Sequence, residues 1–325
     1  MQKQLENLLI QAIKANATDI HFNLEDGNMM LQFRSRGQMV KIDSDLCSIS
    51  LFRYLQYRAN LDISDILKPQ TGQFEMELNN RCYALRFAVV HSLNMVSGVL
   101  RILDADFNIK VKELTMNRNH QDILGRILNY RNGLVLISGP TGSGKTTTLY
   151  TLLQQVKGRK IFTLEDPIEI YSHQYVQIQL NEKQGLDYEE GIRQLLRHDP
   201  DIIMIGEIRD AVAAQMAVRC ALTGHLVVST IHASSAVSAI ERMLELKVSQ
   251  RQLQDVCRCI TNQRLYSLKN KKGRTGAYEI IQRNQIEAYF KGEDSSLFVS
   301  IHHEIESLVQ SGFVTKKQAQ FDLFD

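Results

Sequence analysis

The residues whose types and spacing could do chemistry are Gly139, Pro140, Thr141, Gly142, Ser143, Gly144, Lys145, Thr146 and Thr147, in one unbroken run. Glycines at 139, 142 and 144 let the backbone turn without Cβ clashes, so successive N–H groups can point inward at the oxygens of a polyanion. Lys145 adds a point charge able to reach the β and γ phosphates of a nucleotide, and the Thr146 hydroxyl is a hard oxygen suited to Mg2+. An apolar run at 134–138 precedes the loop and a helix-periodic stretch at 147–156 follows it. Strand, glycine-rich turn and helix in that order put the anion at the positive end of a helix dipole. The expected ligand is ATP with Mg2+.

Carboxylates appear where such a loop would need them. Apolar runs at 134–138, 160–164, 201–205 and 225–231, separated by helix-length segments, read as buried strands of a parallel sheet wrapped by helices. Ligands of such sheets lie beyond the carboxyl ends of the strands. The second run leads into Glu165-Asp166-Pro167-Ile168-Glu169, and the third into Gly206-Glu207-Ile208-Arg209-Asp210. Glu207 is the expected polariser of the attacking water, with Glu165 supporting metal or water from the neighbouring strand. The alternative for both is a charge favoured by a helix N-terminus. His225 and His232 bracket the fourth run; either could sense the γ-phosphate or bond across a subunit boundary, or be an ordinary polar cap.

Helical patterns at 187–198, 210–222, 233–246 and 249–265 fill the gaps between these strands, and the last forty residues read as a helix around 297–310 and a short tail. Ahead of them stands a different kind of segment. Leu5, Leu8, Leu9, Ala12 and Ile13 share one face of a helix over 3–15, followed by alternating stretches at 19–22 and 29–34 with turn signals at Asp26-Gly27 and around Gly37. Ser50 could cap a helix through Asn60, and 74–78, 83–90 and 96–103 read as strands, the first two joined by Asn79-Asn80. The expected organisation is an amino-terminal α+β domain over 1–104, a linker over 105–117 and a P-loop α/β domain over 118–325.

A chain of 325 residues is long enough for two cores. With 38 basic and 36 acidic side chains, bulk charge does not announce a nucleic-acid binder. Cysteines at 47, 82, 220, 257 and 259, odd in number and without framework spacing, suit a reducing cytosol. Cys257 and Cys259 fall in a helix-periodic stretch, where neighbours two apart diverge, so they read as inert thiols and not as a metal pair. No apolar run approaches the roughly 18 residues of a membrane span, and the first residues are not a signal peptide, so membrane association is expected to be peripheral or through a partner.

Four ordered blocks resemble the secretion and type IV pilus ATPase superfamily: Gly139 to Thr146, Glu165 to Glu169, Asp199 to Asp210 and Thr223 to His232. Ala17 to Phe22 is similar to the family's opening strand, and 81–103 to the hairpin that supplies arginines to a nucleotide. The resemblance implies a RecA-like P-loop NTPase core with a smaller, PAS-like amino-terminal domain. It also implies a cytoplasmic homo-hexamer docked beneath a polytopic inner-membrane platform protein. Arg86 and Arg101 fall where the family places arginines that reach bound phosphate, though Arg86 could also be a cross-strand surface pair. The four-cysteine insertion of the larger assembly ATPases is missing between Gln263-Arg264-Leu265 and Gly273-Arg274-Thr275-Gly276, which implies no zinc site. Leu222 to His225 and Gln263 to Leu265 resemble the assembly branch. The resemblance therefore implies an ATP-hydrolysing motor that assembles a competence pilus for DNA uptake, DNA being cargo and not a sequence-specific ligand. A retraction motor and a nucleotide-gated scaffold are the alternatives.

Overall fold

The structure, a computed structural model, describes all residues except 26, 36–37, 43–47, 65–67, 80, 104–107, 182–184, 270–272, 294–298 and 324–325. The expected turn residues Asp26, Gly37 and Asn80, the cysteine at 47, the domain end at Asp104 and the helix start at Leu297 lie outside the described residues. The chain divides into a unit over Met1–Phe107 and a unit over Asn108–Asp325.

The first unit runs α1 (Gln2–Lys14), β1 (Ala17–Glu25), β2 (Asn28–Ser35), β3 (Gln38–Ile42), α2 (Ile49–Arg58), β4 (Gln70–Leu78), β5 (Arg81–His91) and β6 (Met95–Leu103). Its strands form one antiparallel sheet in the order β3-β2-β1-β6-β5-β4. One face carries Ile20, Phe22, Phe33, Phe87 and Leu100 against Leu5, Leu8 and Leu9 of α1 and Leu51, Phe52 and Leu55 of α2. Rings of Phe22, Phe52 and Phe87 meet edge to face at 5.3 to 6.0 Å, which suits their quadrupoles. Gly98 is required there, because a Cβ would lie 2.5 Å from the Phe52 ring. The cap of α2 is Ser48 and not Ser50: the Ser48 hydroxyl accepts from Leu51 N at 3.1 Å. Starting the helix there turns Leu51, Phe52 and Leu55 onto the sheet. Strand β3 was not foreseen, since its edge position leaves Gln38 to Lys41 exposed and unpatterned.

The second unit comprises α3 (Val111–Leu114), α4 (Arg118–Leu124), β7 (Gly133–Ser138), α5 (Lys145–Leu153), β8 (Ile161–Glu165), β9 (Val176–Gln179), α6 (Tyr188–Leu195), β10 (Ile202–Ile208) and α7 (Ala211–Leu222). It continues with β11 (Leu226–Ile231), α8 (Ala236–Glu245), α9 (Gln250–Val256), β12 (Cys257–Ser267), β13 (Arg274–Gln282), α10 (Arg283–Phe290), α11 (Ile301–Gln310) and α12 (Lys316–Leu323). Its sheet has the order β13-β12-β7-β11-β10-β8-β9, parallel throughout except for the edge strand β13. The expected linker 105–117 overlaps this unit, where α3 buries Val111 and Leu114.

The largest departure is the stretch 249–265, expected as one helix. A Ser249/Gln252 capping box starts α9, but Cys257 onward is β12, paired with β7 on one side and β13 on the other. A strand buried between two neighbours loses the alternation by which sequence betrays it, and tertiary pairing overrides local periodicity. Cys257 and Cys259 are therefore inert through burial and not through helical divergence: burial pushes the Cys257 thiol up to about 12 and the Cys259 thiol higher still. The expected tail forms α12, packed with α11 on Tyr266 and Ala277.

His120 of α4 is buried, 3.6 Å from Glu304 of α11, and burial outweighs the attraction of that carboxylate and lowers its pKa from 6.5. The folded imidazole stays neutral where the unfolded one takes a proton, so the unfolded state binds more protons below pH about 6.5 and stability falls as pH drops through that value. Relative to His120→Gln, the wild-type chain should lose stability on acidification from pH 7 with a slope of at most about 1.4 kcal/mol per pH unit. Urea titrations across pH 5 to 8 test this, and parallel curves would contradict it.

Candidate active site

The parallel register decides what meets at the carboxyl edge of the sheet. Ser138 at the end of β7 pairs with Ile231 of β11 and Asn262 of β12, and Ile205 of β10 pairs with Leu164 of β8. The loop after Ser138, His232, Glu207 and Glu165 thus emerge side by side. Together with Asp166, Glu169, Tyr188, Arg209, Leu265 and Arg274, they line a cavity of about 430 Å3. Thr141, Gly142, Gly144, Lys145, Thr146 and Thr147 face it as well.

Gly139, Pro140 and Ser143 shape the loop from behind. Gly139 has φ +146°, and a Cβ there would lie 2.6 Å from Ser143 Oγ and 2.7 Å from the Gln263 carbonyl. Gly144, at φ +87°, is the cap residue from which α5 starts, so its left-handed turn aims the helix N-terminus at the cavity. Strand β12 holds the loop: Gln263 Nε2 donates to the Ser143 carbonyl at 2.6 Å, and Asn262 Nδ2 donates to Ser138 Oγ at 2.9 Å and to the Ala233 carbonyl at 3.0 Å. Lys145 Nζ donates to the carbonyls of Gly139 and Pro140 at 2.9 and 3.0 Å. Burial lowers the pKa of this ammonium while Glu207 and Glu169 pull the other way.

The two carboxylates differ sharply. Glu165 is buried and accepts from Tyr150 Oη with both oxygens at 2.7 and 2.8 Å, from Thr163 Oγ1 at 2.7 Å and from Gln177 Nε2 at 3.2 Å. Burial nevertheless outweighs these donors and raises its pKa. A carboxylate so occupied anchors α5 to the sheet and has little left for a metal or a water. Glu207 is the more open acid. Its Oε1 lies 2.8 Å from His232 Nε2, its Oε2 accepts from Arg209 Nε, and Arg209 also reaches Asp166 at 3.7 Å. His232 and Arg209 thus hold the Glu207 carboxylate from two sides.

His225 does not join this group. It precedes Leu226, which pairs with Gly133, so it sits at the opposite end of the sheet, about five strand residues or roughly 17 Å from the loop. Its Nδ1 lies 3.2 Å from the Cys220 carbonyl and from Thr223 Oγ1, the position of a polar cap on α7. Arg86 and Arg101 face each other across β5 and β6 of the first unit. Arg101 Nε donates to Asp19 Oδ1 at 2.6 Å. Burial would push the Asp19 carboxyl up, but its hydrogen bonds with Arg101 and Thr18 overcome this and hold it low.

Sequence reasoning overlooked Tyr150, Gln177, Asn262 and the roles of Leu265 and Arg274. Tyr150 could have been found, since it lies five residues after Lys145 on the helix that must dock beneath Glu165. Asn262 and Leu265 lie on β12, which periodicity hid, Arg274 lies on β13 paired with it, and Gln177 lies on the short edge strand β9.

The oxygen-rich edge formed by Thr146 and Glu207 fits a hard divalent cation beside a bound triphosphate, and the glycine cradle fits its phosphates. Residues 1–306 match the family described as type II/IV secretion system protein. The competence protein ComGA of Bacillus subtilis is 36% identical over 275 residues, covering 82% of this chain and 77% of that one. ComGA of Halalkalibacterium halodurans is 33% identical over 344 residues, covering 98% of each. A crystal structure of the pilus retraction motor PilT with bound ADP superimposes with a TM-score of 0.76 at 25% identity, over 97% of this chain and 96% of that one.

Gly139→Ala is expected to abolish ADP binding in calorimetry, because the added methyl has nowhere to go; affinity within threefold of wild type would contradict this cradle. Tyr150→Phe should destabilise the second unit by about 1–3 kcal/mol in urea titrations, as Glu165 loses its principal donor while remaining buried.

Proposed function

This chain belongs to the type II/IV secretion system protein family, and on that premise we propose that it is a hexameric, Mg2+-dependent motor powering assembly of a competence pseudopilus for DNA uptake. It is an ATP hydrolase of the secretion and pilus-assembly class. The observation that carries the reading of its chemistry is the convergence of Lys145, Thr146, Glu207 and His232 on one cavity. In this reading the backbone N–H groups of the loop and Lys145 take the β and γ phosphates, and Glu207 orients the attacking water on the far side of the γ-phosphoryl. His232 and Arg209 keep the Glu207 carboxylate aimed. Thr146 would be among the groups holding Mg2+, whose charge would supply neutralisation of the phosphates.

Arg101 is proposed to act on the triphosphate from the first unit of a chain in the ring, with Arg86 beside it. Asp19 braces the Arg101 side chain through Nε while nearly half of that side chain remains exposed, which suits a guanidinium that must reach outward. The partner proposed for the ring is a polytopic membrane platform protein at the inner face of the plasma membrane. Among the described residues, no helix is long and apolar enough to cross a membrane. Transported DNA would be cargo, and its addition should leave turnover unchanged.

The likeness to PilT favours a second reading, a retraction motor. Deleting the gene separates the two: loss of an assembly motor removes pili, whereas loss of a retraction motor leaves an excess. Glu207→Gln should keep ATP bound while phosphate release falls by a factor of about 100 or more. Turnover near wild type would remove Glu207 from its role. Arg101→Ala should lower turnover by a factor of about 10³ with ring formation intact by sedimentation, and an unchanged rate would remove the arginine.

A further inference from the structure

The carboxyl-terminal helices pack on the strand that supports the active site. Ile301, Ile305 and Leu308 of α11 and Ala319 of α12 form one apolar cluster with Tyr266 of β12 and Ala277 of β13. At the end of α12 this packing gives way to a polar clasp. Asp322 Oδ1 accepts from Arg264 Nε at 3.0 Å, and Asp322 Oδ2 accepts from Tyr266 Oη at 2.6 Å. Arg264 is largely shielded from solvent, with 16% of its side chain exposed, so its charge is paired in a medium less screening than water.

Arg264 carries the contact inward. Its Nη1 donates to Asn262 Oδ1 at 2.8 Å and its Nη2 to the Ser234 carbonyl at 3.1 Å, while Asn262 Nδ2 donates to the Ala233 carbonyl. Ala233 and Ser234 directly follow His232, whose Nε2 lies 2.8 Å from Glu207. Side chains alternate along a strand, so Asn262, Arg264 and Tyr266 act on one face of β12, whereas Gln263 holds the phosphate loop from the other. The clasp thereby reaches the histidine turn through Arg264 and Asn262; Asn262 also donates to Ser138 ahead of the nucleotide-gripping loop, whose Ser143 carbonyl is held by Gln263.

We propose that Asp322 is a positioning residue for hydrolysis: by holding Arg264 it fixes the turn that presents His232 to Glu207, so the seating of α12 sets turnover without contact to nucleotide. This rests on the reading of Glu207 as the water-orienting acid. A device of this kind lets whatever displaces the carboxyl-terminal helix slow the chemistry while ATP stays bound.

The test is steady-state phosphate release by the full chain carrying Asp322→Ala or Asp322→Asn, with Arg264→Ala and the Asp322→Ala/Arg264→Ala double variant. Asp322→Ala should lower kcat about tenfold, with KM for ATP within about twofold of wild type. In the Arg264→Ala background the same substitution should have no further effect, because the clasp is already open. Asp322→Asn can keep the Tyr266 hydrogen bond and the apolar packing of α12, so it should lose kcat with its melting temperature unmoved, and it carries the test if Asp322→Ala fails to fold. An unchanged kcat in both Asp322 variants, a rise in KM matching the fall in kcat/KM, or an equal loss in the Arg264→Ala background would each overturn the proposal. Glu207→Gln run alongside distinguishes the premise: if it turns over normally the acid is misassigned, whereas a dead Glu207→Gln beside fully active Asp322 variants rejects the clasp alone.

Discussion

A loop that presents backbone N–H groups to phosphate must hold a conformation that most residues avoid, and it must hold it against the chain's own tendency to relax. Strand β12 and the anchoring of α5 serve that constraint. Gly139 and Gly144 make the positive φ angles accessible, but glycine only permits a conformation and does not enforce it. Enforcement comes from β12, through Gln263 on the Ser143 carbonyl and Asn262 on Ser138. Because each of these groups is buried, losing a partner would leave an unsatisfied polar atom, which makes the hold stiffer than its bond count suggests.

The same logic divides labour between the acids. Glu165 and Glu207 leave adjacent strands and both line the cavity, yet one is enclosed by donors and the other is the more open. The enclosed acid ties helix α5 to β8, and thereby fixes the helix N-terminus that faces the phosphates. The more open acid is held by a histidine from β11's end and an arginine two residues on. Environment, and not residue type, separates the enclosed carboxylate from the more open one.

Much of this was legible in the sequence. The four central strands and the glycine loop follow from apolar runs, and the positions of Glu207 and His232 from the ionisable residues that follow the later runs, a signal that survives because buried parallel strands are uniformly apolar. The strand β12 was not legible, since Cys257 to Ser267 mixes Thr261, Asn262 and Gln263 into a buried run, and buried amides resemble a helix's polar side until their partners are known. His225 was misplaced for a related reason: a strand bracketed by two histidines gives no hint of which end lies by the loop unless its direction in the sheet is followed through. The order of the first unit's strands likewise depends on pairings between residues as distant as Asp19 and Arg101, which no local pattern encodes.

The buried thiols give the second unit a built-in reporter. Cys257 and Cys259 lie in the strand that grips the phosphate loop, and Cys220 lies in the helix between β10 and β11, all three enclosed and held as unreactive neutral thiols. An alkylating reagent can reach Cys257 and Cys259 only when the sheet breathes, so the rate of their modification measures the opening free energy of this part of the molecule. The chain thus records the opening of the strand beneath its loop in the chemistry of its sulfurs.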